Sequence, residues 1–102
     1  GLAAAYRYES AFRQVLWLHL ILIVLTFILN FDSATKMLLI IASFVSLITE
    51  LFNTAVEAAV DHTSTEKHEL AKRAKDAGSA AQLLALTMLG IVWAIALWHG
   101  YV

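Results

Sequence analysis

The chain has 102 residues, of which 61% are hydrophobic and only 15% are charged, which is too apolar for an ordinary soluble domain of this size. It contains no proline and four glycines, so nothing divides it into strands and turns, and a few long helices are expected. Seven Lys and Arg residues against eight Asp and Glu give no sign of a nucleic-acid partner. The absence of cysteine excludes a disulfide framework and a thiolate metal site.

Three apolar spans predict an all-α membrane protein. They cover roughly residues 15–31, 37–60 and 82–102. Crossing the hydrocarbon core takes about 20 helical residues, and backbone groups in lipid must be satisfied within the helix. Each span is therefore predicted to be a transmembrane helix, the first being short and continuous with the segment before it. Residues 32–36 allow only a tight turn, and residues 61–81 are predicted to form a polar loop. A single domain over residues 1–102 is expected.

Basic residues set the expected orientation. Only Lys36 falls beside the 32–36 turn, and six basic residues fall on the opposite side: Arg7, Arg13, Lys67, Lys72, Arg73 and Lys75. The positive-inside rule makes this side cytoplasmic and the C-terminus periplasmic. Gly1 opens the chain without a start methionine, and residues 3–5 predict a helix already under way. We therefore expect an amphipathic surface helix at the N-terminus, largely missing here.

The second span carries a polar stripe. Glu50, Asn53, Glu57 and Asp61 are spaced three, four and four residues apart, which places them on one helix face. At about 1.5 Å per residue, Glu50 lies roughly 10 Å deeper than Glu57. One interpretation is a polar seam between packed helices, with one or both carboxylates protonated. The other is a cation site, because carboxylates at this depth are costly unless paired, hydrated or metal-bound. Their crowding on one face favours the cation site, and Mg²⁺ bound to substrate phosphates is the natural candidate.

Other polar residues allow a functional and a plain interpretation. Glu9 and Arg13 are four residues apart and form either a surface ion pair or a second source of a carboxylate. Lys75 and Asp76 precede a Gly-Ser-Ala-Ala run that lets helices approach closely, bringing a cation to the start of the third helix. The charged residues of 61–81 otherwise suit a solvated face. His19 and His99 are interpreted as interfacial or packing residues.

Four stretches of the chain, in order, resemble one known family. They are residues 9–14 (ESAFRQ), 50–61 (ELFNTAVEAAVD), 66–70 (EKHEL) and 73–81 (RAKDAGSAA). With three hydrophobic spans between and around them, the chain resembles the small integral-membrane diacylglycerol kinases of Gram-negative bacteria. The family also contains undecaprenol kinases of Gram-positive bacteria, but AFRQ and GSAA look more like the diacylglycerol branch. Val15 and Ala3 depart from the family pattern, where an acidic and a basic residue are common.

The resemblance implies a homotrimeric helical bundle of the bacterial inner membrane, with active sites shared between chains. It implies that MgATP phosphorylates diacylglycerol to phosphatidic acid. Glu9 and Glu57 would hold Mg²⁺ and thereby ATP, and Glu50 would be the base on the lipid hydroxyl, with Asn53 as its polar neighbour. The further nucleotide contacts implied are Glu66, His68, Lys75 and Asp76. The residues implied near the lipid head, besides Glu50, are Arg13, Gln14 and Ser79.

Two other classes of function remain open on the residues alone. A glutamate inside a membrane with polar neighbours also marks proton or cation translocation. Against it, the carboxylates cluster at the expected cytoplasmic end. A membrane scaffold would not need Lys75 and Asp76 near Glu57. No Gly-rich phosphate loop of the soluble nucleotide-binding proteins is present, since the four glycines are too scattered.

Overall fold

Four helices make up the described part of the chain. The structure, a computed structural model, describes residues 1–63 and 69–101. Helix α1 covers Leu2–Tyr8, α2 covers Ser10–Ile28, α3 covers Ser33–Thr63 and α4 covers Glu69–Tyr101. Helices α2, α3 and α4 are long and apolar enough to cross a membrane. The predicted all-α fold with three membrane-spanning helices is confirmed.

Helix α3 is the centre of the bundle. It packs against both α2 and α4, while α1 packs against α2. Neighbouring long helices run antiparallel, and the molecule measures 52 × 26 × 16 Å. The 31 residues of α3 extend for about 46 Å at the usual helical rise. Because a hydrocarbon core is only about 30 Å thick, one polar end of α3 and the facing end of α4 project beyond it.

The polar segment between the second and third spans is mostly helical. The sequence predicted a loop over residues 61–81, but α3 continues to Thr63 and α4 already begins at Glu69. Glu69 lies in the first turn of α4, where a negative charge opposes the helix dipole, and its Oε1 is 3.5 Å from Nε of Arg73 one turn later. The predicted loop is therefore too long, because charged residues that favour a solvated helix look the same in sequence as a solvated loop.

A buried hydrogen bond joins α2 to α3 inside the apolar region. His19 and Ser46 are both fully buried, and His19 Nε2 lies 2.8 Å from the Ser46 hydroxyl. His19 Nδ1 lies 2.6 Å from the carbonyl oxygen of Val15. Since a carbonyl oxygen only accepts, Nδ1 donates to Val15, and Nε2 and the Ser46 hydroxyl form the second hydrogen bond. His19 is thus a packing residue, as the sequence suggested, and it also fixes the register of α2 against α3.

The end of the bundle opposite the polar stripe is closed by aromatic packing. Phe31, Leu39 and Ala96 form a buried cluster, and the rings of Phe31 and Trp93 meet edge to face with centroids 5.9 Å apart. Gly100 lies against Phe31, whose ring atoms would be 3.2 Å from a Cβ there. This cluster holds α3 and α4 together at their far ends.

The turn before α3 is capped by Asp32. The Thr35 backbone N–H donates to Asp32 Oδ1 over 2.8 Å. Hydrogen bonds from the side chain and the backbone of Thr35 hold the pKa of Asp32 below its usual range. A tight turn is thus present, but it covers residues 29–32 and not the predicted 32–36, because Asp32 caps the helix and residues 33–36 already form the first turn of α3.

At the polar end, α3 and α4 approach most closely at Gly78. A Cβ built on Gly78 would collide with the amide oxygen of Asn53 and would lie 3.3 Å from its Cγ. A glycine here therefore leaves the room that the Asn53 side chain occupies between the helices. Gly90, on the same helix, has no atom within 4 Å of an added Cβ.

We predict that Gly78→Ala and Gly90→Ala differ in stability. Gly90→Ala should stabilise α4 by up to about 1 kcal/mol, because alanine is the better helix former. Gly78→Ala should be less stable than Gly90→Ala by roughly 0.5–2 kcal/mol, because the Asn53 amide must be displaced. In an Asn53→Ala background the difference should vanish. Unfolding by denaturing detergent, followed by circular dichroism, measures it. If Gly78→Ala remains less stable than Gly90→Ala in the Asn53→Ala background, the Asn53 amide is not the cause of the difference.

Candidate functional site

The predicted polar stripe lies on one uninterrupted helix. Glu50, Asn53, Glu57 and Asp61 all belong to α3. Their exposure changes along the helix: Glu50 is only 8% exposed, Asn53 is half-buried, and Glu57 and Asp61 are exposed. The face therefore runs from a carboxylate enclosed between helices to carboxylates exposed on the surface of the bundle. Such a face can serve an apolar substrate at one end and a water-borne one at the other.

Lys75 contacts the exposed end of the stripe. Its Nζ lies 2.8 Å from Asp61 Oδ1, and the two side chains are 43% and 64% exposed. An ion pair this exposed contributes little to stability, at most about 1 kcal/mol. Lys75 therefore lies near Glu57 and Asp61, and little free energy is lost when it leaves Asp61 to bind another anion.

The structure does not bring Asp76 to the stripe. Asp76 is exposed, and Gly78, two residues later, lies on the face of α4 that contacts α3. Two helical residues turn by about 200°, so Asp76 lies on the opposite side of α4. Ser79 is also exposed, on the flank of α4 between Asp76 and the contact face. Of the residues predicted for this helix, only Lys75 contacts the stripe of its own chain.

Glu9 lies at the break between the first two helices. It has an extended backbone (φ −118°, ψ 103°), ends α1 and begins α2, and its exposed side chain makes no capping hydrogen bond. Arg13 Nη1 donates instead to the carbonyl oxygens of Tyr6, at 2.8 Å, and Arg7, at 3.2 Å. Arg13 thus pairs with carbonyl oxygens at the end of α1. Because these hydrogen bonds of Arg13 go to the backbone, they do not occupy the Glu9 carboxylate.

A groove of about 600 Å³ lies beside this break. Its walls come from α1 and the outer face of α2, with polar groups near the helix start and apolar groups further along α2. Seven residues line it: Tyr6, Ser10, Arg13, Gln14, Trp17, Leu18 and Ile21. Arg13 and Gln14, two of the residues predicted near a lipid head, therefore border an open surface that is polar at one end and apolar at the other.

The predicted metal ligands offer suitable chemistry but come from different helices. In residues 1–63 and 69–101, no three Asp, Glu or His side chains are grouped closely enough to hold a metal ion. Glu9 and Glu57 are both exposed carboxylates, on the α1–α2 break and on α3. Two carboxylates with phosphates and waters are a usual Mg²⁺ ligand set, so these residues fit the ion by donor type.

Two further predicted nucleotide contacts, Glu66 and His68, lie outside the described residues.

Sequence analysis missed several polar residues that the structure buries. Ser43 and Ser46 extend the stripe deeper at the same spacing of three and four residues, and both are fully buried. Gln82 is 7% exposed and follows Gly78 by four residues. Its spacing from Gly78, Ala85 and Leu89 could have revealed it as part of a helix contact face.

Comparison of the sequence with known proteins links this chain to one family. The family model described as prokaryotic diacylglycerol kinase matches residues 1–97. The chain is 47% identical to a diacylglycerol kinase of Pseudomonas aeruginosa, with 92% of this chain and 76% of the relative covered. It is 45% identical to that of Escherichia coli, with 99% and 83% covered. It is 48% identical to that of Helicobacter pylori, with 91% and 73% covered.

Proposed function

We propose that this chain, which belongs to the prokaryotic diacylglycerol kinase family, transfers the γ-phosphoryl group of ATP to diacylglycerol and so forms phosphatidic acid. The observation that carries the proposal is the graded stripe of α3, enclosed at Glu50 and exposed at Glu57 and Asp61, which we propose lie in water. A lipid alcohol is held by its chains at the depth of the bilayer interface, whereas ATP arrives from water. One helix face that spans both depths lets the two meet.

At the enclosed end, Glu50 is the proposed base. The hydroxyl oxygen of diacylglycerol attacks the γ-phosphorus while its proton passes to the Glu50 carboxylate, and the bond to the β-phosphate oxygen breaks. Asn53, one turn nearer to water, is proposed to orient the hydroxyl through its amide. Since Gly78 confines that amide between α3 and α4, its position is fixed before substrate arrives.

At the open end, charge is the main requirement. Glu9 and Glu57 are proposed to hold Mg²⁺, which when bound neutralises the phosphate charge of ATP. Lys75 is proposed to leave Asp61 for a phosphate oxygen, a small change because its ion pair is solvated. Asp76, Glu66 and His68 are proposed to contact the rest of the nucleotide. Phosphoryl transfer depends on such positioning and charge more than on covalent chemistry of the protein.

The lipid head is proposed to bind near Arg13, Gln14 and Ser79. The groove between α1 and α2 supports this for Arg13 and Gln14, since it joins polar and apolar surface as the head and chains of a lipid require. Arg13 also fastens α1 to α2 through its hydrogen bonds to the α1 carbonyls. A substitution there would disturb the groove as well as the charge.

The proposed assembly is a homotrimer in the bacterial cytoplasmic membrane, with active sites shared between chains. Asp76 lies on the side of α4 away from the stripe, and large apolar side chains are exposed on all three long helices. Both features suit neighbours in an oligomer as well as lipid. The N-terminus and the projecting ends of α3 and α4 are proposed to face the cytoplasm, where ATP is found.

The most direct experiment offers two lipids to the purified protein in mixed micelles. With Mg²⁺ and ATP, we expect phosphatidic acid from diacylglycerol, much less product from undecaprenol, and none after chelation of the metal, measured as labelled phosphate in the lipid fraction. Preference for undecaprenol would assign the chain to the other branch of its family. No lipid product, together with proton flux in vesicles, would instead support a translocating protein.

We predict that Glu50→Gln and Glu57→Gln fail in different ways. Glu50→Gln keeps the size of the side chain but removes the base, so kcat should fall by about 10²-fold or more with the KM for MgATP little changed. Glu57→Gln, and likewise Glu9→Gln, removes an anionic ligand and should raise the Mg²⁺ and ATP concentrations required. Steady-state titrations separate the two effects. Equal changes in kcat and KM for the three variants would contradict the assigned roles.

We also predict that some inactive variants complement each other. Glu50→Gln is mixed with Glu9→Gln or with Asp76→Asn in denaturing detergent and reassembled. If a site takes these residues from two chains, about a quarter of the interfaces in a random 1:1 mixture regain both. Lys75 contacts the stripe of its own chain through Asp61, so Glu50→Gln mixed with Lys75→Ala is the control pair and should stay inactive. If neither mixture regains activity while the reassembled parent is active, active sites shared between chains are contradicted.

A further inference from the structure

Gln82 is a polar side chain placed in an apolar contact face. It lies on α4 in line with Gly78, Ala85 and Leu89, the face of α4 that packs against α3. Only 7% of the residue is exposed. Among the described residues, neither its Nε2 nor its Oε1 has a hydrogen-bond partner.

An amide in this position requires an explanation. A buried polar group without a partner is destabilising, whereas a leucine of similar volume would pack there without that penalty. Asn53 Oδ1 is also buried without a partner in the part of the chain that the structure describes. Unpaired donors and acceptors thus accumulate along one short stretch of the α3–α4 contact.

Gln82 lies at the depth of Glu50. Gly78 contacts Asn53, which sets the register of the two antiparallel helices at that point. Gln82 is four residues further along α4, or about 6 Å deeper, and Glu50 is three residues back along α3, or about 4.5 Å deeper. The unpaired amide therefore stands at nearly the same level as the enclosed carboxylate.

We propose that Gln82 is a specificity-determining residue that binds the acceptor lipid, with Nε2 donating to an ester carbonyl of diacylglycerol beside the hydroxyl that reacts. This inference rests on the proposed function. Diacylglycerol carries ester carbonyls next to its hydroxyl, and a carbonyl oxygen accepts the hydrogen bond that Nε2 lacks. A long-chain isoprenol has a hydroxyl followed only by hydrocarbon and leaves the amide donor unpaired. A substrate that leaves a buried polar group of the site unpaired is disfavoured, so the isoprenol should react less well than diacylglycerol.

The test compares two lipids that differ only in the carbonyls, dioctanoylglycerol and its diether analogue dioctylglycerol. The parent should prefer the ester by roughly threefold to tenfold in kcat/KM, the usual effect of one neutral hydrogen bond. Gln82→Leu should lose that preference while keeping its KM for MgATP. Gln82→Met, which keeps the unbranched shape, should behave in the same way. Thr87→Val removes an exposed polar group from the same helix and should retain the preference of the parent.

A second readout does not depend on turnover. Infrared spectroscopy of dioctanoylglycerol labelled with ¹³C at its carbonyls should show a carbonyl stretch at lower frequency when the lipid is bound to the parent than when it is free. The shift should be absent in Gln82→Leu and Gln82→Met.

The outcomes separate this inference from the proposed function. A parent that phosphorylates both lipids equally well retains the proposed function and overturns the role of Gln82. A preference for the ester that survives in Gln82→Leu or Gln82→Met also overturns it, and so does a loss of rate that is equal for both lipids. A parent that phosphorylates no lipid alcohol overturns the proposed function, and the role of Gln82 falls with it.

Discussion

The fold depends on one constraint, which is that the polar face of α3 must not meet lipid. Carboxylates and amides in hydrocarbon cost several kcal/mol unless other groups shield or bind them. Placing α3 between α2 and α4 meets this requirement, since both flanking helices turn small or polar residues toward it. Gly78 leaves room for the Asn53 amide between α3 and α4, and His19 forms hydrogen bonds with Val15 and Ser46 where α2 packs against α3. At the far end, where α3 is apolar, the contact becomes ordinary packing around Phe31 and Leu39.

The same constraint arranges the chemistry by depth. A carboxylate that is enclosed between helices can meet a lipid hydroxyl, and one that projects beyond the bilayer can meet a nucleotide. Because α3 is longer than a hydrocarbon core is thick, one helix face carries both an enclosed and an exposed carboxylate, and the proposed function uses this face in place of the phosphate-binding loop of soluble kinases. The early start of α4 belongs to this arrangement, since it extends a second helix alongside the projecting end of α3 and places Lys75 against Asp61.

Sequence patterns predicted the parts that depend on composition and local spacing. Hydropathy located the three spans, and the three- and four-residue spacing placed Glu50, Asn53 and Glu57 on one face, because both signals lie within a single helix. Features that depend on how helices meet were not predictable. The His19–Ser46 bond needs the register of α2 on α3, and the contact of Gly78 with Asn53 needs that of α4 on α3. Arg13 bonds to carbonyls that become available only because α1 ends at Tyr8. The assigned roles of Glu9, Glu57 and their partners stay predictions.

The central claim is that the α3 face passes from an enclosed, lipid-depth environment at Glu50 to water at Asp61. Because the chain contains no cysteine, single cysteines can report on each level. Glu50→Cys, Glu57→Cys and Asp61→Cys would be placed in nanodiscs, open to water on both sides, and treated with a charged maleimide. Labelling rates should fall in the order Asp61→Cys, Glu57→Cys, Glu50→Cys, with the last slower by about tenfold or more, since the thiolate that reacts is disfavoured by burial. All three should react alike in denaturing detergent. Equal rates for Glu50→Cys and Asp61→Cys in the folded protein would contradict the account.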